Sequence, residues 1–346
     1  MKKKLSIKDI AAQLNVSTTT VSFILNGKAK EKRITDDMVE KVLGFVDKVG
    51  YKPNLLAQSL RTGKSNIIGL LVENIANPFF ATIARQIEDI AYKNGYKIIY
   101  TSTDDDTQKT KNYLQIFKDR QVDGYIIAPP MGIEKDIIEL VKTGKPVVLF
   151  DRLLPELTNV DYVGINGEES VYHAMLHLRV NGFKNIAFIT TDSLQTQMED
   201  RLSGYEKAAK ELGLATQVKR IPFNQTKAAF EKQITSFLQK NSALDAVIFA
   251  TNYLGVSGLK AIKLMGLNIP KDIGVLVFDD NDLFELHTPS ISTIAQPIEA
   301  IAQQVISILL NKLNTPIEER LSQTILLPTK MLIRNSTRHL FEKLPK

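Results

Sequence analysis

Four histidines, a TGKS stretch and a knot of aspartates are the residues whose types invite a chemical reading of this 346-residue chain. His173 and His177 are four apart, which sets two imidazoles on one helical face as in zinc peptidases. The glutamate such chemistry needs directly after the first histidine is replaced by Ala174, and neither His287 nor His339 offers an evident third ligand. The pair reads as surface or cleft-edge helix histidines, and no metal is expected. Thr62 to Ser65 carry the end of a phosphate-binding loop, but Gln58 stands where its first glycine belongs, and the stretch precedes an apolar run instead of following one. Nucleotide binding is not expected there, because only a strand-to-helix loop turns backbone N–H groups onto phosphates. A nucleophile elbow and a full Gly-x-Gly-x-x-Gly loop are both absent, and the lack of cysteine removes thiolate ligands, thiol nucleophiles and disulfides. Asp279, Asp280 and Asp282 gather at the end of an apolar run; with no partner base in view they suit a polar ligand better than a metal or acid–base chemistry. The residue types point to binding without a cofactor, not to catalysis.

Charge indicates the partner. The formal net charge of +6 is not spread evenly: residues 1 to 65 hold 13 Lys and Arg against 6 Asp and Glu, while the other 281 residues hold 31 against 32. A positive field confined to one small module is a nucleic-acid footprint, with a plain basic tail as the alternative. Inside it, VSTTTVSFILNG sets Thr18, Thr19 and Ser22 on the side of a short helix opposite Val21 and Leu25. Hydroxyls at a helix N-terminus approach phosphates and base edges closely, and the exposed N–H groups attract phosphate. An ordinary capped helix has the same pattern, so the residues alone leave both readings open.

The elements that must position these groups follow from periodicity and caps. Residues 1–50 read as three helices. Ser6 caps the first with Asp9 at N3, and Ile7, Ile10, Ala11 and Leu14 share one face. Ser17 caps the second. Thr35 caps the third, Ile34 staples onto Val39, and Val39, Val42, Leu43, Val46 and Val49 form its stripe before Gly50 stops it. Residues 51–65 form a linker with a helix too short to persist alone, from Asn54 to Gly63. Residues 66–340 alternate apolar runs with amphipathic helices, first up to PVVLFDR and again after DYVGIN, which predicts two consecutive α/β lobes with parallel sheets. The cleft between them lies at the strand carboxyl ends, near Asn74 to Pro78, Asp151-Arg152 and Asp279 to Asp282. No apolar run is long enough to span a membrane and the basic N-terminus lacks a signal-peptide core, so a cytoplasmic location is expected.

IKDIAAQLNVSTTTVSFILNG, followed by YKPNLLAQSLRTGKSNIIGLLV and NPFF, resembles the lactose-repressor (LacI) family of bacterial transcription regulators, from about Ser6 to Thr337. The resemblance implies a multi-domain chain: an all-α helix-turn-helix head, a hinge helix and an α/β two-lobed core similar to periplasmic sugar-binding proteins. It further implies a homodimer that represses from a pseudo-palindromic operator under control of a small-molecule effector, a sugar or sugar derivative. Base-reading positions fall on Thr18, Thr19 and Phe23, and Asn26 falls near the phosphate backbone. The minor-groove hinge falls on Asn54, Ala57, Leu60 and Arg61, with Leu60 as the wedge. Many members carry Arg where Phe23 stands; Phe23 either meets thymine methyls or turns into the head's own packing. In the core the resemblance marks Arg201, Asn252 and Asp279 as effector-binding, with Asp151 at the cleft edge. A guanidinium fork, an amide and a carboxylate suit paired sugar hydroxyls. Tyr253 stands where the family often has Asp, and Gly182-Phe183 where it often has Gly-His, so phosphorylated and purine-like ligands stay open. The rival expectation is a ligand receptor without sequence-specific DNA function, and a sugar-modifying enzyme is a more distant third.

Overall fold

The computed structural model describes residues 5–51, 63–223 and 225–338, which fall into two compact units, Met1–Ser65 and Asn66–Lys346. The hinge positions Asn54, Ala57, Leu60 and Arg61, and His339, lie outside the described residues.

The small unit holds α1 (Ile7–Leu14), α2 (Thr18–Leu25) and α3 (Asp36–Lys48). A reciprocal capping box opens α1: Ser6 Oγ accepts from the Asp9 N–H at 3.3 Å, and Asp9 Oδ2 accepts from the Ser6 N–H at 2.7 Å. Asn15 turns the chain in left-handed backbone at φ 54°, which a short amide side chain tolerates. Ser17 then opens α2, its Oγ accepting from the Thr20 N–H at 2.9 Å. Ile10, Ala11, Val21, Ile24 and Val42 form the core, with Ile34 and Val39 packed against it. Two expectations about α3 need correction. Thr35 occupies its N-cap but makes no side-chain cap bond, leaving Asp36 and Asp37 to meet the positive helix end. Leu43 is 45% exposed, while Phe45 packs inward. Met38, Val39, Val42, Phe45 and Val46 form the covering face, without Leu43 or Val49, since a core this small covers only one flank of the helix.

The large unit is built on two six-stranded sheets. The first contains β1 (Ile67–Val72), β2 (Lys97–Ser102), β3 (Gly124–Ile127), β4 (Val147–Phe150), β5 (Asp161–Ile165) and β11 (Thr324–Leu327), in the order β11-β5-β4-β3-β1-β2. The second contains β6 (Ile186–Asp192), β7 (Gln217–Pro222), β8 (Ala246–Phe249), β9 (Gly274–Phe278), β10 (Ser292–Ala295) and β12 (Lys330–Leu332), in the order β12-β10-β9-β8-β6-β7. The two orders are equivalent position by position, and the ladders are parallel except for the antiparallel β10–β12 pair. Inner strands such as AVIF and VVLF are buried throughout, as helices on both sheet faces require.

The expectation of two consecutive lobes is only partly right. After β10 the chain returns to the first lobe as a helix over Ile298–Asn314, whose Ile301, Ala302, Val305 and Leu309 pack with Ile68, Leu70 and Val148. β11 then joins the first sheet and β12 the second. The chain therefore passes between lobes three times: after β5, after β10 and between β11 and β12. Periodicity gives a helix its apolar face but does not say which sheet that face covers. Among the described residues no helix is long and apolar enough to cross a membrane.

Candidate ligand cleft and nucleic-acid interface

Consecutive strand ends of both lobes deliver polar side chains into one cleft. Glu73 follows β1, Asp105 lies just beyond β2, and Asp151 and Arg152 follow β4. From the second lobe come Thr191 at the end of β6, Asp279 after β9 and Gln296 after β10, with Arg201 reaching in from the helix Thr196–Glu211. Asp151 and Asp279 occupy equivalent places, after β4 and β9, and both have left-handed backbone, φ 63° and φ 73°. Such a conformation outside glycine is costly and concentrates at functional positions. Phe79, Phe80, Met198, Phe223 and Tyr253 supply the apolar walls.

Four carboxylates and two guanidiniums share this space. Arg152 is buried; its Nη2 donates to the Glu73 carboxylate, its Nη1 to Asp105 Oδ1 at 2.8 Å, and its Nε lies 3.4 Å from Asp151 Oδ2. Arg201 Nη1 donates to the Ala250 carbonyl at 2.6 Å, and its guanidinium carbon sits 3.7 Å from the centre of the Phe278 ring. The buried Arg201 Nε has no hydrogen-bond partner, the kind of unfinished group that a bound ligand completes. Gln296 Nε2 donates to Asp279 Oδ1 at 2.7 Å. Between the lobes, Gln195 Nε2 donates to Asp105 Oδ1 at 2.5 Å, Asn252 Nδ2 to Asn77 Oδ1 at 3.0 Å, and the Leu153 N–H to Thr196 Oγ1 at 3.1 Å.

Burial governs the ionisation of these groups. It pushes Asp105 up to about 6, with the Gln195 hydrogen bond acting against it. It pushes Asp151 up to about 7; Arg201 pulls that value down, while Asp279 and Asp105 add to the rise. Burial draws Arg152 down to about 9, which leaves it charged at neutral pH.

In the small unit, Thr18 and Thr19 are exposed in the first turn of α2. Ser22 is half-buried and bound to Asn26, whose Nδ2 donates to the Ser22 carbonyl at 2.6 Å and approaches Ser22 Oγ at 3.3 Å. Phe23 lies outside the packed core, with the Lys32 ammonium 5.5 Å from its ring centre. A capped helix N-terminus carrying exposed hydroxyls on a basic module can meet a phosphate backbone and base edges.

Residues 6–54 match the family model for bacterial regulatory proteins of the lacI family, and residues 175–337 that for a periplasmic binding protein-like domain. The ribose operon repressor of Halalkalibacterium halodurans is 30% identical over 96% of this chain and 97% of its own length. That of Haemophilus influenzae is 31% identical over 96% and 98%. This chain belongs to the LacI family. It is a DNA-binding transcription regulator. A LacI-family regulator from Enterococcus faecium with bound ribose is 29% identical and has a TM-score of 0.71 over 79% of this chain and 99% of its own. The lac repressor dimer bound to operator and the anti-inducer ONPF, 21% identical, shares the fold with a TM-score of 0.84 over 97% and 100%.

Within this LacI-family regulator the structure brings Asp151, Arg201 and Asp279 to the cleft lining. Asn252 begins its helix beside them, but its amide is engaged by Asn77 of the other lobe. Of Asp279, Asp280 and Asp282 only Asp279 lines the cleft: Asp280 is held by Arg334 at 2.7 and 3.0 Å and by Thr293. Neither His173 nor His177 lines it. His173 is exposed beside Glu169 at 3.6 Å, and His177 Nε2 meets Thr337 Oγ1 at 2.9 Å. Among the described residues no group of three or more His, Cys, Asp or Glu could hold a metal. Glu73, Asp105, Gln195, Gln296 and the phenylalanines of the cleft were not singled out from sequence; NPFF and the pairing of Asp151 with Arg152 at predicted strand ends were the available signals.

Proposed function

We propose that this LacI-family regulator represses from a pseudo-palindromic operator as a homodimer, and that a pentose-sized sugar or sugar derivative in the cleft sets its operator affinity. Residues 1–50 form the reading head, 51–65 the hinge and 66–340 the sensing and dimerising core. Thr18, Thr19 and Phe23 meet base edges, Ser22 and Asn26 stand near phosphate, and Asn54, Ala57, Leu60 and Arg61 enter the minor groove. With Lys32 beside its ring, Phe23 presents an apolar edge suited to a thymine methyl. The protein acts by binding in the cytoplasm, without covalent chemistry.

The observation that carries the effector reading is the cleft's make-up: Phe79, Phe80 and Phe223 offer apolar walls to the C–H faces of a sugar ring, between polar groups at its rim. Asp151 and Asp279 accept from hydroxyls and Arg201 donates to them, while Asn252 orients Asn77. The ribose operon repressors among its relatives and the ribose-bound Enterococcus faecium structure support a pentose. Because Asp105–Gln195 and Asn77–Asn252 join the lobes, a ligand wedged among them alters lobe geometry, and that change is what couples to the hinge.

The test is titration of the full-length protein onto a duplex selected from genomic fragments, with and without a panel of pentoses, phosphorylated sugars and purines. Salt-dependent preference for one site over random duplex, shifted by a pentose, is expected. Equal affinity for both duplexes overturns the operator reading, and a response to a purine alone overturns the sugar.

A further inference from the structure

We infer that Glu73 and Asp105 are specificity-determining residues: by holding Arg152 between two carboxylates they withhold its charge from the ligand and make the cleft reject phosphorylated and other anionic sugars. The inference rests on the reading of this cleft as the effector site.

The cleft is formally two charges negative, with Glu73, Asp105, Asp151 and Asp279 against Arg152 and Arg201. A phosphate or carboxylate ligand is best held by a guanidinium fork with two free N–H edges. Arg152 presents none. Both terminal nitrogens of Arg152 are bound to carboxylates, and its side chain is only 4% exposed. Arg201 gives Nη1 to a backbone carbonyl, lies against the Phe278 ring and keeps its buried Nε unpaired, which leaves one available guanidinium set among four carboxylates. The two acids reach Arg152 from separate strand ends, 79 and 47 residues away in sequence, and Asp105 does so from left-handed backbone at φ 59°. Gln195 from the opposite lobe fixes the same Asp105 oxygen that Arg152 uses. A neutral sugar donates hydroxyl protons to carboxylates and is indifferent to this arrangement, whereas a phosphorylated sugar sets anionic oxygens beside anionic oxygens in a partly desolvated space.

A purely structural role, in which the acids only neutralise a buried arginine, predicts that amide replacements destabilise the fold without changing ligand class. The experiment is calorimetry with ribose and with ribose 5-phosphate on the wild type, Glu73→Gln, Asp105→Asn and the double variant, each shown to melt cooperatively. A second arm measures the melting temperature of each in increasing inorganic phosphate at constant ionic strength. Each amide should raise the affinity for ribose 5-phosphate relative to ribose by about 10-fold, and the pair by about 100-fold. Phosphate should stabilise the double variant and leave the wild type unmoved. Unchanged affinity ratios in folded variants, or a wild type that binds both sugars equally, overturn the inference. If no sugar binds the wild type, the effector reading falls, but the phosphate arm still decides: stabilisation confined to the variants upholds the anion filter, and equal response in all proteins removes it. Should the double variant fail to fold, Asp105→Asn alone carries both arms.

Discussion

Asp279→Asn separates ligand binding from architecture. Asp279 has left-handed backbone at φ 73°, its N–H donates to the Ile294 carbonyl at 3.0 Å, and its Oδ1 accepts from Gln296 at 2.7 Å. Asparagine tolerates that backbone, has the same shape and keeps an oxygen for Gln296, so stability should change by less than about 1 kcal/mol. Alanine would confound the measurement, since left-handed strain of about 1–2 kcal/mol adds to an orphaned Gln296 amide. What asparagine removes is the negative charge that accepts from a sugar hydroxyl. A hydrogen bond to a charged group contributes about 1.5–3 kcal/mol, so affinity should fall roughly 10- to 150-fold. Calorimetry with ribose gives the affinity, and thermal melting of the same samples gives the stability. An affinity within about threefold of wild type would remove Asp279 from the contact. A fall in affinity matched by an equal loss of ligand-free stability would make it a structural residue.

The ligand-free core should lose stability as pH rises from 5 to 8. Asp105 and Asp151 have native values of about 6 and about 7 against an ordinary 3.8, so the native state holds their protons more tightly than the unfolded chain. That stabilisation is complete below the unfolded value and is lost as pH rises through 6 and 7. Elevation by roughly two units sets an upper bound of about 3 kcal/mol for Asp105, and Asp105→Asn should flatten the profile of urea midpoints against pH; an unaltered slope would refute the assignment. Gly204→Ala should destabilise the core by about 1–3 kcal/mol, because its new Cβ would lie 2.1 Å from the Glu168 carbonyl oxygen and force two helices apart; an unchanged melting temperature would contradict that close approach. Ser17→Ala should remove about 1 kcal/mol of capping from α2 and weaken operator binding, with melting of the core unaffected, as anisotropy and calorimetric scans would report.

What could be read from sequence was local. Ser6 with Asp9, and Ser17 before its helix, announce caps because the bonds they make span three residues. Strand ends announce a cleft because parallel sheets collect their loops on one edge. The ring around Arg152 was not legible: its partners are remote in sequence, and Asp105 sits in a run of three aspartates that looks like solvated turn. Asn252 was legible as a cleft residue, but its bond to Asn77 depends on how the lobes meet. Leu43 misled because a regular apolar spacing on α3 is wider than the core it covers.

The three crossings between lobes set an order of assembly during synthesis. The first lobe has its five leading strands early, but its sheet lacks β11 and its core lacks the helix Ile298–Asn314 until most of the chain has left the ribosome. The second lobe waits for β12 in the same final stretch. The head is local in sequence and completes long before either. A chain interrupted between residues 66 and 298 would therefore carry a finished reading head on an unfinished sensor, so intact regulation depends on translation running through to the last strand.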